Sequence, residues 1–182
     1  DRGPSSFDVI ELLSKRVSGG TICLKGNHES FLLEFLKDPT ILNAWQRCGG
    51  LETLVSYGLE PSPDLSPEDQ EKLAGTLAER LPVHHHNFLI TLPLSFTLGD
   101  YFFVHAGVRP GVALANQRAE DLLWIREDFL RYEGSFGKVV VHGHTPVSEP
   151  EIRNNRINID TGAFASGNLT CAVFEDDQIS FL

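Results

Sequence analysis

No apolar stretch in these 182 residues reaches the roughly 20 that a membrane-spanning helix needs, so a bilayer-embedded role is not expected. Cysteine is scarce. Cys23, Cys48 and Cys171 are odd in number and widely spaced, which argues against a disulfide scaffold and fits a reducing compartment, with the cytoplasm as the expected location. Basic charge is also short: 15 Lys and Arg against 25 Asp and Glu give a formal charge of −10, and no run supplies the basic surface that binding a nucleic-acid backbone demands. No internal repeat or low-complexity segment is present, and no Cys-x5-Arg loop offers a phosphate-cradling cysteine nucleophile.

What is there is enough apolar content, 41%, to bury a substantial core, and the length suggests one domain over residues 1–182. Phe7, Ile10, Leu13 and Val17 recur at helical spacing before Gly19-Gly20. Helices are expected at Glu29 to Lys37, Thr40 to Arg47 and Leu51 to Val55, and Pro61-Ser62-Pro63 reads as a loop. Ser66-Pro67-Glu68-Asp69 combines a cap, a first-turn proline and an acidic first turn, predicting a helix that runs to Leu81. Another starts after Pro82, with His86, Leu89 and Ile90 at helical spacing. Residues 29–92 thus form a mostly helical insert. Neighbouring helix positions point in different directions, so the run His84-His85-His86 is not expected to converge on a metal.

The second half changes period. Leu94 to Leu98, Gly99-Asp100 and Tyr101 to Val104 predict a hairpin, Glu120 to Tyr132 a helix, and Val139, Ile157, Leu169 and Gln178 four further strands with turns at Asn154-Asn155 and Asp176-Asp177. Three apolar, strand-like runs lead straight into a polar ligand type and a small residue: Thr21 to Leu24 before Gly26-Asn27-His28, Phe102 to Val104 before His105, and Val139 to Val141 before His142-Gly143-His144. Such runs read as central strands whose carboxyl ends carry a site. A single histidine after a strand is commonly structural, whereas the repetition favours a site. An amide oxygen with two imidazoles suits borderline divalent ions and suits calcium poorly.

The set Asp1-Arg2-Gly3, Gly26-Asn27-His28-Glu29, His105-Ala106-Gly107 and Gly143-His144-Thr145-Pro146, in this order, resembles the calcineurin-like metallophosphoesterases, and within them the bacterial and phage serine/threonine phosphoprotein phosphatases. Trp45 to Gly50, Thr53 to Gly58, Asp121 to Arg126, Ile159 to Ala163 and Gly167 to Thr170 extend the likeness nearly end to end. The resemblance implies an α/β fold, a two-sheet β-sandwich of mixed strands flanked by helices. It also implies hydrolysis of phosphoserine or phosphothreonine monoesters, phosphotyrosine being open, by direct attack of a metal-bound hydroxide. Two divalent ions are implied, manganese first, with iron and zinc as alternatives, and the substrate is a phosphorylated protein or a small phosphomonoester.

By that resemblance Asn27, His105 and His144 are metal ligands. His28 is the general acid, oriented by Asp1, whose negative charge would raise the imidazole pKa. Arg2 and Arg126 grip phosphoryl oxygens, although Arg126 could instead be a helix-face arginine paired with Asp121 or Glu127. The family opening, Asp-x-His followed by Gly-Asp-x-x-Asp-Arg-Gly, contributes an Asp and a His to one metal and an Asp bridging both. These three have no counterpart here, so the expectation is a chain truncated at its amino end, lacking its first strands and inactive alone. His142 precedes the motif and reads as a strand-end residue. Two alternatives stay open: a symmetrical dinucleoside tetraphosphatase, and a non-catalytic phosphate-binding module. The oligomeric state is left undetermined.

Overall fold

The computed structural model describes residues 1–62, 64–175 and 178–182, and the chain divides into two units, Asp1–Leu92 and Pro93–Leu182. Pro63 and the expected turn Asp176-Asp177 lie outside the described residues.

The first unit is helical among its described residues: α1 (Ser6–Arg16), α2 (Asn27–Phe35), α3 (Leu42–Trp45), α4 (Gly50–Ser56), α5 (Pro67–Arg80) and α6 (Val83–Thr91). The cap signal places α5 as expected: Ser66 Oγ accepts from the Asp69 backbone N–H at 3.2 Å and Pro67 occupies the first turn. Short 3-10 turns at Pro39–Ile41 and Gln46–Cys48 flank α3, so the Thr40 to Arg47 helix is split into three pieces. Phe35, Leu42, Trp45, Leu54, Leu77 and Leu89 close the core between these helices.

Two expectations fail here. Thr21 to Leu24 is not a strand: among the described residues no segment pairs with it, and Ile22 is exposed. Apolar character made the run look like a strand, but an extended segment becomes one only when a neighbour takes its ladder hydrogen bonds. The buried face of α6 runs through His85 and Leu89 and leaves Ile90 exposed, one position out of phase with the expected His86, Leu89 and Ile90.

The second unit holds a mixed five-stranded sheet in the order β1-β2-β3-β5-β4, where β1 is Ser95–Leu98, β2 Tyr101–Val104, β3 Val139–His142, β4 Glu151–Ile152 and β5 Arg156–Asn158. The expected hairpin is present, β1 pairing antiparallel with β2 from Ser95 opposite Val104 to Leu98 opposite Tyr101. Strands β2, β3 and β5 run parallel, with Phe103 opposite Val141 and His142 opposite Asn158. One face of β2 presents Phe102 and Val104 to a core shared with Val140 and Phe129. The other presents Tyr101 and Phe103 to Phe174 of a second ladder, β6 (Ala172–Glu175) with β7 (Gln178–Phe181), at ring-centroid distances of 4.6 and 5.9 Å. Helices α7 (Ala119–Trp124), α8 (Glu127–Leu130) and α9 (Ala163–Ser166) complete the unit. The architecture is therefore mixed α/β, a mixed sheet flanked by helices.

The helix expected from Glu120 to Tyr132 breaks at Ile125-Arg126, where Arg126 has φ −132° and ψ −98°. Ile125 and Phe129, on either side of the break, are both buried in the core. Leu169 is exposed, and the chain becomes a strand only at Ala172. Side-chain bonds hold the intervening segment: Thr161 Oγ1 donates to the Asn168 carbonyl at 2.7 Å and lies 2.9 Å from Thr170 Oγ1. Among the described residues no helix is long and apolar enough to cross a membrane.

Candidate active site

Three parallel strands end side by side in the second unit, and the chain leaves β2 and β3 through candidate residues. From β2 it runs into His105-Ala106-Gly107 and from β3 into Gly143-His144-Thr145, while β5 leads to Ile159-Asp160. Backbone bonds continue the sheet past the strand ends: Gly143 N–H donates to the His105 carbonyl at 2.9 Å and Ile159 N–H to that of His142 at 3.0 Å. These bonds bring two imidazoles together, with His105 Nε2 3.1 Å from His144 Nδ1.

That separation tests the proposed donors. Two imidazoles bound to one zinc-like ion at about 2.0–2.1 Å each have their nitrogens about 3 Å apart. The pair fits a borderline dication.

His144 has φ 66° and Arg2 has φ 70°, and they are the non-glycine residues with positive φ among those described. A left-handed backbone on such residues costs of order 1–3 kcal/mol and persists where the surroundings dictate it, commonly at functional sites. Both belong to the motif set. Trp124 meets His144 edge-on, ring centroids 5.9 Å apart, and Arg126 Nη1 donates to Thr145 Oγ1 at 3.1 Å. The helix break thus turns the Arg126 guanidinium to the loop that carries His144.

His142 is the last residue of β3, the strand-end position expected of it, and its side chain is buried. Only 2% of it is exposed, its ring packs edge-on against Phe129, and Nδ1 lies 3.1 Å from the Gly143 carbonyl. Burial lowers its pKa to about 4, against a smaller opposing effect of the hydrogen bond to the Gly143 carbonyl, so the ring is neutral at pH 7.

In the first unit, α2 begins at Asn27, with the Glu29 carboxylate accepting from the Gly26 N–H at 2.7 Å. Asn27 is buried and His28 follows it. The Asp1 carboxylate organises this end: Oδ2 meets His28 Nδ1 and accepts from Trp45 Nε1 at 2.7 Å, while Oδ1 accepts from Thr53 Oγ1. Arg2 is held by its backbone N–H to the Gly49 carbonyl, 3.3 Å, and by Nε to the Cys48 carbonyl, 3.1 Å. Gly49 must lack a Cβ because one would come 3.0 Å from the Arg2 Cα and N.

Despite Asp1, the pKa of His28 is lowered, to about 4. Burial is the largest cause, and nearby positive charges including Arg2 add to it. The direction is opposite to that expected from the carboxylate alone. In the free protein His28 is neutral at pH 7, and an arriving phosphate anion is what would raise its proton affinity.

The structure groups Asp1 and His28 within the first unit, and His105, His144 and Arg126 within the second; Arg2 is placed beside Cys48 and Gly49. Trp45 and Thr53, the donors that fix Asp1, were part of the motif resemblance but were not singled out. Their signal was present as an indole and a hydroxyl on otherwise apolar helix faces, positions that require a hydrogen-bond partner when buried.

No family model matches the chain. Among curated proteins it is 31% identical to the bis(5'-nucleosyl)-tetraphosphatase PrpE [asymmetrical] of Bacillus subtilis (strain 168), the match covering 93% of this chain and 70% of that protein. It is 29% identical to the protein of the same name from Bacillus velezensis, covering 98% of this chain and 72% of the relative. A crystal structure of a presumed diadenosine tetraphosphatase superposes with a TM-score of 0.67 at 20% identity, covering 100% of this chain and 75% of the other. That likeness concerns the fold.

Proposed function

Because the chain belongs to the family of the PrpE-type bis(5'-nucleosyl)-tetraphosphatases, which are calcineurin-like metallophosphoesterases, we propose that it hydrolyses dinucleoside tetraphosphates asymmetrically, to a nucleoside monophosphate and a nucleoside triphosphate. Phosphoester hydrolysis with divalent metal ions follows from the family itself. The observation that carries the finer reading is the match, at 31% identity over 93% of the chain, to an asymmetrical tetraphosphatase. A cleft of about 660 Å³ in the second unit supports it: Arg109, Asn116, Arg118 and Trp124 are among its lining residues, and it has the room and the aromatic wall that a nucleoside needs. This reading departs from the phosphoprotein phosphatase that the motifs suggested and from the symmetrical cleavage held as its alternative. The family's enzymatic character also argues against a non-catalytic module.

We assign residues 1–182 to one catalytic domain whose candidate divalent-ion ligands are Asn27 in the first unit and His105 and His144 in the second. When bound, divalent ions supply Lewis acidity and lower the pKa of coordinated water to about 7. Arg2 and Arg126 bind phosphoryl oxygens through planar guanidinium groups. Asp1, fixed by Trp45 and Thr53, orients His28, which donates a proton from its ring to the departing oxygen.

The test is product analysis with the full-length protein, diadenosine tetraphosphate and manganese. AMP and ATP in equal amounts are expected; two equivalents of ADP would overturn asymmetric cleavage. Faster turnover of a phosphoserine peptide than of the dinucleotide would restore the phosphatase reading, for which the Trp124-Ile125-Arg126 stretch is the specific argument. Treatment with a chelator should abolish hydrolysis and added manganese should restore it.

A further inference from the structure

Outside the motif set, α1 and α6 place three ligating side chains together, one carboxylate and two imidazoles. Glu11 Oε2 lies 2.6 Å from His84 Nε2 and 2.8 Å from His85 Nε2, and the three donor atoms lie within 4.8 Å of one another. Adjacent helix residues project about 100° apart, yet both rings turn their Nε2 to the same carboxylate oxygen, with centroids 4.5 Å apart. This is the convergence that the sequence argument excluded.

The surroundings distinguish this group from an ordinary surface ion pair. His85 is fully buried, and its second nitrogen, Nδ1, lies 2.9 Å from the Tyr57 hydroxyl. A hydrogen-bond partner on the far nitrogen is what fixes the tautomer and orientation of a metal-ligating imidazole. His84 is 57% exposed, so solvent reaches the outer side of the group. The Lys15 ammonium sits on the other carboxylate oxygen, Oε1, at 2.5 Å, which leaves Oε2 to face the imidazoles.

We propose that Glu11, His84 and His85 form a separate mononuclear site for a borderline divalent cation, zinc foremost, that clips α1 to α6. Two imidazoles and one carboxylate, with a fourth position open to water, match the donor number and type that zinc takes at about 2.0–2.2 Å. Bound zinc replaces the two close nitrogen–oxygen contacts with separations of about 3 Å, which a small rotation of the exposed His84 ring provides. The ion stabilises the first unit without entering the phosphoester chemistry, because none of its ligands belongs to the motif set.

The test counts zinc equivalents in chelator-treated full-length protein and records the cobalt(II) visible spectrum, comparing the parent with His84→Ala and Glu11→Gln. One equivalent should be lost in each variant, and the tetrahedral cobalt bands from this site should disappear. A zinc-dependent rise in Tm of roughly 5 °C should vanish with them. Manganese-dependent hydrolysis should be unchanged. His105→Ala, which alters the motif histidines instead, should retain that equivalent and its bands. Equal zinc counts and equal cobalt spectra in the parent and both variants would overturn the site and leave a hydrogen-bonded ion cluster. Neither result bears on the cleavage products, which are measured independently.

Discussion

At the scale of single residues, the chemistry turns on what a proton from His28 is worth to different leaving groups. An alkyl phosphomonoester releases an alkoxide, which cannot depart unprotonated at neutral pH, whereas a nucleotide phosphate leaves with a pKa of about 6. General-acid catalysis contributes roughly 10² to 10⁴ where protonation is needed. His28→Asn is therefore expected to lower kcat by that amount for an alkyl phosphomonoester and by no more than about tenfold for diadenosine tetraphosphate, taking the general-acid range as the upper limit. Equal losses on both substrates would remove His28 from the proton-donor role. Trp45→Phe probes the layer behind it, since it deletes the Nε1 bond to Asp1 while keeping an aromatic ring against Phe35. A hydrogen bond to a carboxylate is worth about 1.5–3 kcal/mol, so kcat for the alkyl phosphomonoester should fall roughly tenfold or more with KM little changed. A change in KM alone would speak against a positioning role.

At the scale of elements, the loops after β2 and β3 are held by packing as much as by the sheet. Gly107 passes over the ring of the buried Phe129 in α8, and a Cβ there would come within 2.8 Å or less of three ring carbons. Gly107→Ala must push the ring or the His105 loop, an overpacking that costs about 1–3 kcal/mol. Thermal melting should show a loss of roughly 5 °C, and Phe129→Leu in the same chain should recover part of it. No recovery would mean that the backbone, not the ring, resists the substitution.

The same elements explain how far the sequence could be read. Strands β2 and β3, the hairpin turn and the α5 cap follow from local patterns, because each is determined by residues within a few positions of one another. Strand β5 was expected at Ile157, but its burial along its whole length was not: Arg156, Ile157 and Asn158 are all buried, and the two polar residues are accommodated by Glu151 and the Thr145 carbonyl. The break at Arg126 was hidden, since helix propensity runs through it. Among the candidate residues the motifs were legible as words. The convergence of Glu11 with His84 and His85 was not, because 73 residues separate Glu11 from His84.

At the scale of the whole molecule, an acidic chain must admit a polyanion. The formal charge is −10, and two bound divalent cations leave it negative. At about 0.01 M salt the Debye length is about 30 Å, so an approaching tetraphosphate feels the repulsion of the entire chain; at about 0.1 M it is about 10 Å, and only the local field acts. Arg2, Arg126 and bound cations would make that local field attractive. The association rate of a non-hydrolysable diadenosine tetraphosphate analogue, followed by stopped flow, should therefore rise as salt increases from about 0.01 to 0.1 M and fall again at about 1 M, where screening reaches about 3 Å. For a basic binding surface the rate would fall monotonically over the whole range. A monotonic fall here would mean that the cationic groups reach beyond the negative surface at every salt concentration, and net charge would then have no part in substrate capture.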